Sequence, residues 1–291
     1  VEEPQDISFK NLPLRSVIVK ETILEDDREK FIGAYRYEGY SLYDLLNEVK
    51  IDKANQKEFG PIIDLYVTVE GASGKKTVVS WGEIYYPVNR HQVLIATRVT
   101  PIVPSKTNDQ WPIPDSSRLV VATDLITERN IDRPVKITVR SLQADYPVKR
   151  DLDKLYAPSV KIHHSGNPVA TIEEPADDLN VYSYPNTFYG RGRGIHGISD
   201  FSGYRLKDLL PGKDKRAAEY IRKGIYTVAA PDGYRAAFSY SEIMNRNDQS
   251  ETLLLDYGKG SQDGRWRLFT SADFFSDRAI KAVSEIRLEL K

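Results

Sequence analysis

"FIGAYRYEGYSLYDLL", residues 31–46, is nearly repeated later in the chain as "IHGISDFSGYRLKDLL", residues 195–210. Aligned without a gap, the two stretches share seven residues, which chance does not readily produce. A chain that carries the same segment twice is expected to contain a duplicated unit. The shared residues are Gly33/Gly197, Gly39/Gly203, Tyr40/Tyr204, Leu42/Leu206, Asp44/Asp208, Leu45/Leu209 and Leu46/Leu210.

A short helix is predicted at the end of the first stretch. Leu42, Leu45, Leu46 and Val49 follow the i, i+3, i+4, i+7 spacing that places apolar side chains on one helical face. Ser41 stands directly before them as the expected N-cap. The glycine before each helix suits a tight entry turn, so both copies are expected to begin alike.

A second repeated block predicts a β-hairpin followed by a helix. "DLYVTVEGASGKKTVVSWGEI" (residues 64–84) and "GIYTVAAPDGYRAAFSYSEI" (residues 224–243) each contain two β-rich runs separated by a turn. Both end in a serine with a glutamate three residues later, the capping-box pattern that satisfies free amides in the first turn of a helix. These pairs are Ser80 with Glu83 and Ser239 with Glu242.

A third block completes the repeat and sets the predicted domain boundaries. "RLVVATDLITERNIDRPVKITV" (residues 118–139) aligns without a gap with "RLFTSADFFSDRAIKAVSEIRL" (residues 267–288). Before this block the first copy is longer by a proline-rich stretch, which predicts a surface loop. The polar residues 143–159 read as a linker. We therefore expect two tandem α+β domains, residues 1–145 and 146–291.

The composition excludes several functional classes. The 291 residues carry 41 Lys and Arg against 42 Asp and Glu, so the basic surplus of a nucleic-acid-binding protein is absent. No window has the run of about 20 apolar residues that crosses a bilayer as a helix. The chain contains no cysteine, which excludes disulfides and thiolate metal ligands. It begins with the polar run "VEEPQD", which we interpret as the start of an exported, periplasmic or secreted, mature protein.

Each repeat resembles the molybdopterin-binding domain of the sulfite oxidase family. In the second copy "FSGYRLKDLL" is similar to the family segment W-x-G-V-P-L-x-D-L-L, and "PDGYRAAFSYSEI" is similar to its D-G-Y hairpin. "RWRLFTSADFFSDRAIKAVSEIRLEL" resembles the closing P-L-R-L-V-V-P-G…R-x-V-K-W…I-x-L. The resemblance covers residues 188–291 directly and residues 31–139 through the repeat. It implies two tandem sulfite oxidase-like domains.

The departures from the family decide the expected chemistry. The family's molybdenum-ligating cysteine, which precedes the G-V-P-L segment, has no counterpart in a chain without cysteine. The closing V-P-G turn is replaced by Ser271, Ala272 and Asp273. We therefore predict a pseudoenzyme without molybdenum, with no catalytic residues, no metal site and no cofactor. The alternative is an oxidoreductase that holds molybdopterin or another phosphorylated cofactor without a cysteine ligand.

A site for a small anionic ligand is predicted in the second repeat. Arg278 and Lys281 occupy the family's R-x-V-K positions, which the resemblance places near the pterin phosphate. Arg191, Arg193 and His196 lie on the segment expected to face the same cleft. In the first repeat Asp132 replaces the lysine, and its carboxylate would repel a phosphate.

Other motifs support weaker interpretations. "GRGRG", residues 190–194, could cradle a phosphate or form a plain solvated loop, and its spacing is neither that of a P-loop nor that of a dinucleotide fingerprint. His163 and His164 are adjacent, so on a strand they point to opposite faces and cannot both chelate one metal. Ser199 and Asp200 follow His196 too closely to indicate a hydrolase triad.

We expect the chain to bind a small anionic ligand or a protein partner through the second repeat, and not to bind nucleic acid. This step rests on analogy, because a fold does not determine function. A third possibility, a structural half of a larger complex, predicts no charged pocket at all.

Overall fold

Four β-sheets dominate the computed structural model, which describes residues 4–47, 49–142, 146–149, 151–152, 154–190, 194–212, 217–262 and 264–291. About 45% of the chain is strand and 11% is helix. The strands are Arg15–Glu25 (β1), Arg28–Ser41 (β2), Leu65–Gly71 (β3), Lys76–Ser80 (β4), Val93–Pro101 (β5), Arg118–Val121 (β6), Ile131–Asp132 (β7), Pro134–Ser141 (β8), Val160–His164 (β9), Asn167–Ile172 (β10), Tyr182–Gly190 (β11), Gly194–Arg205 (β12), Gly224–Ala229 (β13), Arg235–Ser239 (β14), Thr252–Asp256 (β15), Trp266–Thr270 (β16) and Glu285–Leu290 (β17).

The helices of the described residues are short and lie at the ends of strands. None of them has the length and hydrophobicity needed to cross a bilayer. The α-helices are Leu42–Leu46 (α1), Trp81–Tyr85 (α2), Leu206–Leu209 (α3), Ala218–Lys223 (α4) and Tyr240–Met244 (α5), and single 3₁₀ turns occur at Ile62–Asp64 and Ser276–Arg278.

The sheets have a similar strand order in the first half (residues 1–145) and the second half (146–291). The first half contains the sheets β1-β2-β5-β6-β7 and β4-β3-β8, and the second contains β11-β12-β15-β16 and β10-β9-β17-β13-β14. Strands β9 and β17 are parallel, whereas the other named pairs are antiparallel. The β9–β10 hairpin has no counterpart among the described residues of the first half.

The predicted fold class, a tandem repeat of two α+β domains, is wrong, because the described part of the chain is mostly β, with five short helices and four sheets in a propeller-like arrangement. The apolar spacing that predicted a helix after Ser41 is real, but α1 ends at Leu46 and does not reach Val49. Helix α1 is a short element after β2 that buries Leu42, Leu45 and Leu46, and the long strands supply most of the core. The boundary near residue 145 stays a prediction.

The predicted hairpins and helix caps are confirmed. Strands β3 and β4 pair antiparallel, as do β13 and β14. The hydroxyl Oγ atoms of Ser41, Ser80 and Ser239 each accept a hydrogen bond from the backbone N–H three residues later, at 3.0, 2.9 and 3.0 Å. These contacts satisfy amides that a helix leaves free in its first turn.

Two repeated glycines are explained by close packing of neighbouring strands. A Cβ atom on Gly39 would lie 2.1 Å from the carbonyl oxygen of Ile95, and one on Gly203 would lie 2.6 Å from that of Leu254. Both glycines therefore let the strand that precedes a helix approach its neighbour, β5 in one half and β15 in the other.

The two halves contact each other through matched backbone hydrogen bonds. Four backbone hydrogen bonds join the described loops of the two halves, and they form two pairs at aligned positions. The contact between the halves therefore has approximate two-fold symmetry. The matched pairs are Val88 N to Ala272 O with Asn247 N to Thr123 O, both 2.9 Å, and Phe274 N to Tyr86 O, 2.8 Å, with Leu125 N to Asn245 O, 2.7 Å.

Candidate functional site

Eight buried polar residues form a central charge network between the halves. In the first half the guanidinium of Arg129 donates to both oxygens of Asp124, at 2.8 and 2.6 Å, and to both oxygens of Glu83, at 2.9 and 2.6 Å. The side chains of these three residues are at most 4% exposed. Asp124 and Arg129 lie on the loop after β6, and Glu83 lies on α2.

The second half contributes the same arrangement at the aligned positions. Arg278 donates from Nε and Nη2 to the two oxygens of Asp273, at 2.8 and 2.6 Å, and its Nη1 is 2.6 Å from Oε1 of Glu242. The Arg278 guanidinium also packs on Gly82 of the other half, where a Cβ atom would lie 2.3 Å from Nη1. Each arginine is thus held by two carboxylates of its own half.

The two capping serines connect these clusters across the interface. Ser80 donates its hydroxyl proton to Oε2 of Glu242, and Ser239 donates to Oε2 of Glu83, both at 2.8 Å. Each serine therefore caps its own helix and bonds to the glutamate of the other half's cap. This replaces the reciprocal bond of a capping box, in which the glutamate returns to its own N-cap backbone.

Burial and pairing shift the acid–base equilibria of the network. Burial alone would lower the pKa of Arg278, but the carboxylates of Asp273 and Glu242 raise it above its ordinary value. Burial raises the pKa of Glu242, although Arg278 opposes this. Burial also acts to raise the pKa of Glu83, but the positive charge of Arg129 and the hydrogen bonds from Arg129 and Ser239 outweigh it, and the pKa is lowered.

The structure places Arg278 inside this network and not in an open cleft. It is 1% exposed, and its positive charge is balanced by Asp273 and Glu242. A phosphate would have to displace one of these carboxylates, which is unfavourable because a buried charge would lose its partner. The physical role of Arg278 is therefore structural, as is that of Arg129, its counterpart.

Two of the other predicted ligand-binding residues, His196 and Lys281, lie in the described part of the chain. His196 lies exposed on β12, with its ring centroid 6.2 Å from that of Phe188. Lys281 is partly buried in the loop between the second 3₁₀ turn and β17, where it is engaged with other groups of the protein. Arg191 and Arg193 lie outside the described residues.

A small cleft lies between β11 and the segment after β16. Ser276 at its wall donates its hydroxyl proton to the carbonyl oxygen of Tyr189 at 2.9 Å. Of the predicted ligand-binding residues that the structure describes, none lines it. The lining residues are Asn186, Thr187, Phe188, Tyr189, Phe269, Thr270, Asp273, Phe274, Ser276 and Ala279.

Strands β11 and β12 form a hairpin, here called the second-half hairpin, that projects beyond its sheet. Strand β12 pairs with β15 only at Tyr204 and Arg205, so the edge of β12 before them is unpaired among the described residues. Every residue in the range 194–200 is exposed. Ile195 and Ile198 are 68% and 80% exposed, on the hairpin face opposite the ring of Phe201, which stacks on Phe269 at 4.2 Å.

The corresponding edge in the first half is covered from Tyr35 onward, and Tyr35 aligns with Ser199. Strand β5 has nine residues and pairs with β2 from Tyr35 to Ser41, whereas β15 has five residues and ends at Asp256. The additional residues of β5 belong to the proline-rich stretch that makes the first copy longer before the third repeated block. The second half lacks it, so the backbone groups of β12 remain available for pairing.

Sequence reasoning missed the second-half hairpin. The arginines and glycines of "GRGRGIHG" directed attention to charge, whereas the structure shows isoleucines on an open strand edge. A partial signal is the alternation of tyrosine with other residues at the start of "YSYPNTFYG", which is typical of strands. The stretch "GIHGISDFS" gives no such signal, because its apolar residues are three positions apart.

The residues present do not fit molybdopterin. The chain has no thiolate to ligate molybdenum, and the guanidinium of Arg278, at the position expected to bind the cofactor phosphate, is neutralised by Asp273 and Glu242. Among the described residues no cluster of three or more histidines and carboxylates is arranged to hold a metal ion. The expectation that the protein works without a cofactor stays a prediction.

The comparisons with known proteins assign no family. No protein-family model matches the sequence, and no curated protein matches it. The resemblance to the sulfite oxidase family therefore stays a prediction, and the site must be judged from its own geometry.

Proposed function

We propose that this protein binds a protein partner through the second-half hairpin. The observation that carries the proposal is the unpaired edge of β12 beside two exposed isoleucines, Ile195 and Ile198. An unpaired strand edge offers a row of N–H and C=O groups to an extended segment of another chain. The isoleucines would supply the apolar contact area of such an interface.

The rigidity of the hairpin supports this role. On its inner face Phe188 packs on Phe201, and on the opposite face Tyr189 packs on Phe275, with centroids 5.8 and 5.1 Å apart. A preformed strand loses little conformational freedom when a partner pairs with it. The exposed apolar side chains therefore project from a supported element and not from a loose loop.

A small anionic ligand is the less favoured occupant of the second half. Of the cations predicted to bind it, Arg278 is balanced by two carboxylates, and Lys281 is already engaged. His196 stands on the hairpin itself, where a protein partner would contact it. The proposed location outside the cytoplasm stays a prediction.

Site-specific crosslinking in the source cells tests the proposal. A photo-reactive amino acid at Ile198 is expected to give a discrete adduct, whereas the same probe at Ile18 is not. Ile18 is a matched control because it is 65% exposed on β1, the edge strand of the first half's larger sheet. The crosslinked protein is then identified, purified and titrated against the wild type.

The titration gives the decisive comparison. Burying an isoleucine contributes about 1.5–3 kcal/mol, so Ile198→Asp should weaken the partner's affinity about tenfold or more, while Ile18→Asp should leave it unchanged. Adducts with a second copy of the chain would assign the hairpin to self-association and refute a separate partner. Equal crosslinking at both positions, or phosphate binding that Lys281→Ala abolishes, would also overturn the proposal.

A further inference from the structure

Strand β8 is an open sheet edge whose counterpart in the second half is covered. Strands β3 and β8 align with β13 and β17, since Val69 pairs with Ile137 as Val228 pairs with Ile286. The edge of β17 is paired with β9, and β9 in turn with β10. Strand β8 pairs with β3 on one side, and no strand of the described residues pairs with it on the other side. We call this second side the β8 edge.

The second half shows what such an edge accepts. Strand β9 runs parallel to β17 and sets Ile162 opposite Ile286 and Lys161 opposite Glu285. Its neighbour His163 places Nε2 3.2 Å from Oε1 of Glu285. Apolar residues meet on the core face, and basic residues meet an acidic residue on the other face, which are favourable cross-strand combinations.

The β8 edge carries the opposite charge at the same positions. By the alignment of the third repeated block, Lys136 stands where the second half has Glu285, and Arg140 stands where it has Glu289. Both basic residues are exposed. Because β17 is covered by a strand with basic residues, the charge-reversed β8 is complementary to a strand with acidic residues.

The apolar side of β8 is also incompletely covered. Ile286 is fully buried beneath β9, whereas the aligned Ile137 remains partly exposed, and Val135 at the start of the strand is 66% exposed. An added strand with apolar residues on this face would extend the core cluster that Ile137 and Val139 already join. This is the packing that Val160 and Ile162 provide in the second half.

A second copy of this chain is a poor occupant. Two copies could pair their β8 strands antiparallel, with Thr138 of one copy opposite Thr138 of the other and with both core faces on the same side. Lys136 of each copy would then lie opposite Arg140 of the other copy. Like charges directly opposite each other destabilise a strand pair, and edge lysines are a common protection against self-pairing. The charge pattern therefore favours a different polypeptide.

We infer that the β8 edge binds an extended segment of a partner protein that alternates acidic with apolar residues. The segment would add as a strand parallel to β8, with its carboxylates beside Lys136 and Arg140 and its apolar side chains beside Ile137 and Val139. This surface is separate from the second-half hairpin, so the inference stands or falls independently of the proposed function.

Two capped peptides test the inference on the full chain. Each matches the eight residues of β8 in length, one alternating valine with glutamate and the other valine with lysine. The glutamate peptide is expected to bind the wild type about tenfold more tightly, because two cross-strand charge pairs are attractive with one peptide and repulsive with the other. The double variant Lys136→Glu, Arg140→Glu, which carries the charges of β17, should reverse the preference.

Two further measurements separate strand pairing from simple charge attraction. A glutamate peptide N-methylated on the amides that would pair should lose binding, and hydrogen exchange should slow at β8 amides of the wild type when the unmethylated peptide is added. These measurements decide the question even if the double variant does not fold. Failure of the glutamate peptide to bind, an unchanged preference in a folded double variant, or full binding of the methylated peptide would overturn the inference.

Discussion

Replacing Arg278 with methionine removes the cation that balances two carboxylates in the centre of the molecule. The side chains of Asp273 and Glu242 are 1% and 3% exposed, so neither can recover its charge interaction from water. Breaking a buried ion pair by removing one partner costs about 3–5 kcal/mol. We expect Arg278→Met to lower the free energy of unfolding by this amount, and Arg129→Met to do the same, because Arg129 has an equivalent pair of carboxylates.

Urea unfolding at pH 7, followed by tryptophan fluorescence, measures the effect. Arg133→Met is the matched control, because its side chain is 66% exposed and its Nε lies 3.5 Å from Asp115, so its loss should change stability by less than about 0.5 kcal/mol. If Arg278→Met retained wild-type stability and instead abolished phosphate binding, the structural role assigned to Arg278 would be refuted. Equal losses for Arg278 and Arg129 would support equivalent structural roles of the two arginines.

Two other substitutions test the close packing of Gly82 in the central charge network and the effect of His91 on pH-dependent stability. Gly82→Ala should cost about 1–3 kcal/mol in thermal unfolding, because its Cβ would strike the clamped Arg278, whereas Gly260→Ala, with no atom within 4 Å, should be tolerated. Burial and Arg15 lower the pKa of His91, so the unfolded chain binds more protons and stability is lost as the pH falls through about 6.5. His91→Gln should reduce this loss between pH 7.5 and 5.5 in urea titrations, and an unchanged slope would contradict the assignment.

Local patterns were sufficient to predict the hairpins and caps, because these depend on neighbouring residues. Ser80 and Ser239 precede helices whose first amides they bond, as the spacing to Glu83 and Glu242 indicated. The direction of the glutamate side chains could not be predicted in the same way. They leave their own helices to bond the serine of the other half, a contact between residues 156 or more positions apart.

The fold class was missed because short helices carry strong sequence patterns. The leucines after Ser41 have helical spacing, but α1 has only five residues, and the strands that surround it determine the class. The ligand site expected in the second repeat stays a prediction, and the sequence could not show the surroundings of Arg278. Sequence alignment placed Arg278 at a phosphate-binding position, but it could not show that Asp273 and Glu242 already neutralise it.

The crossed serine bonds mean that the two halves cannot vary independently. Loss of the Ser80 hydroxyl removes a bond from Glu242 in the second half, and loss of the Ser239 hydroxyl removes one from Glu83 in the first. A substitution of either serine therefore destabilises a helix cap in the other half. This constrains sequence divergence at the interface between the halves. The outer edges carry no such constraint, and there the two halves have opposite charges at Lys136 and Glu285.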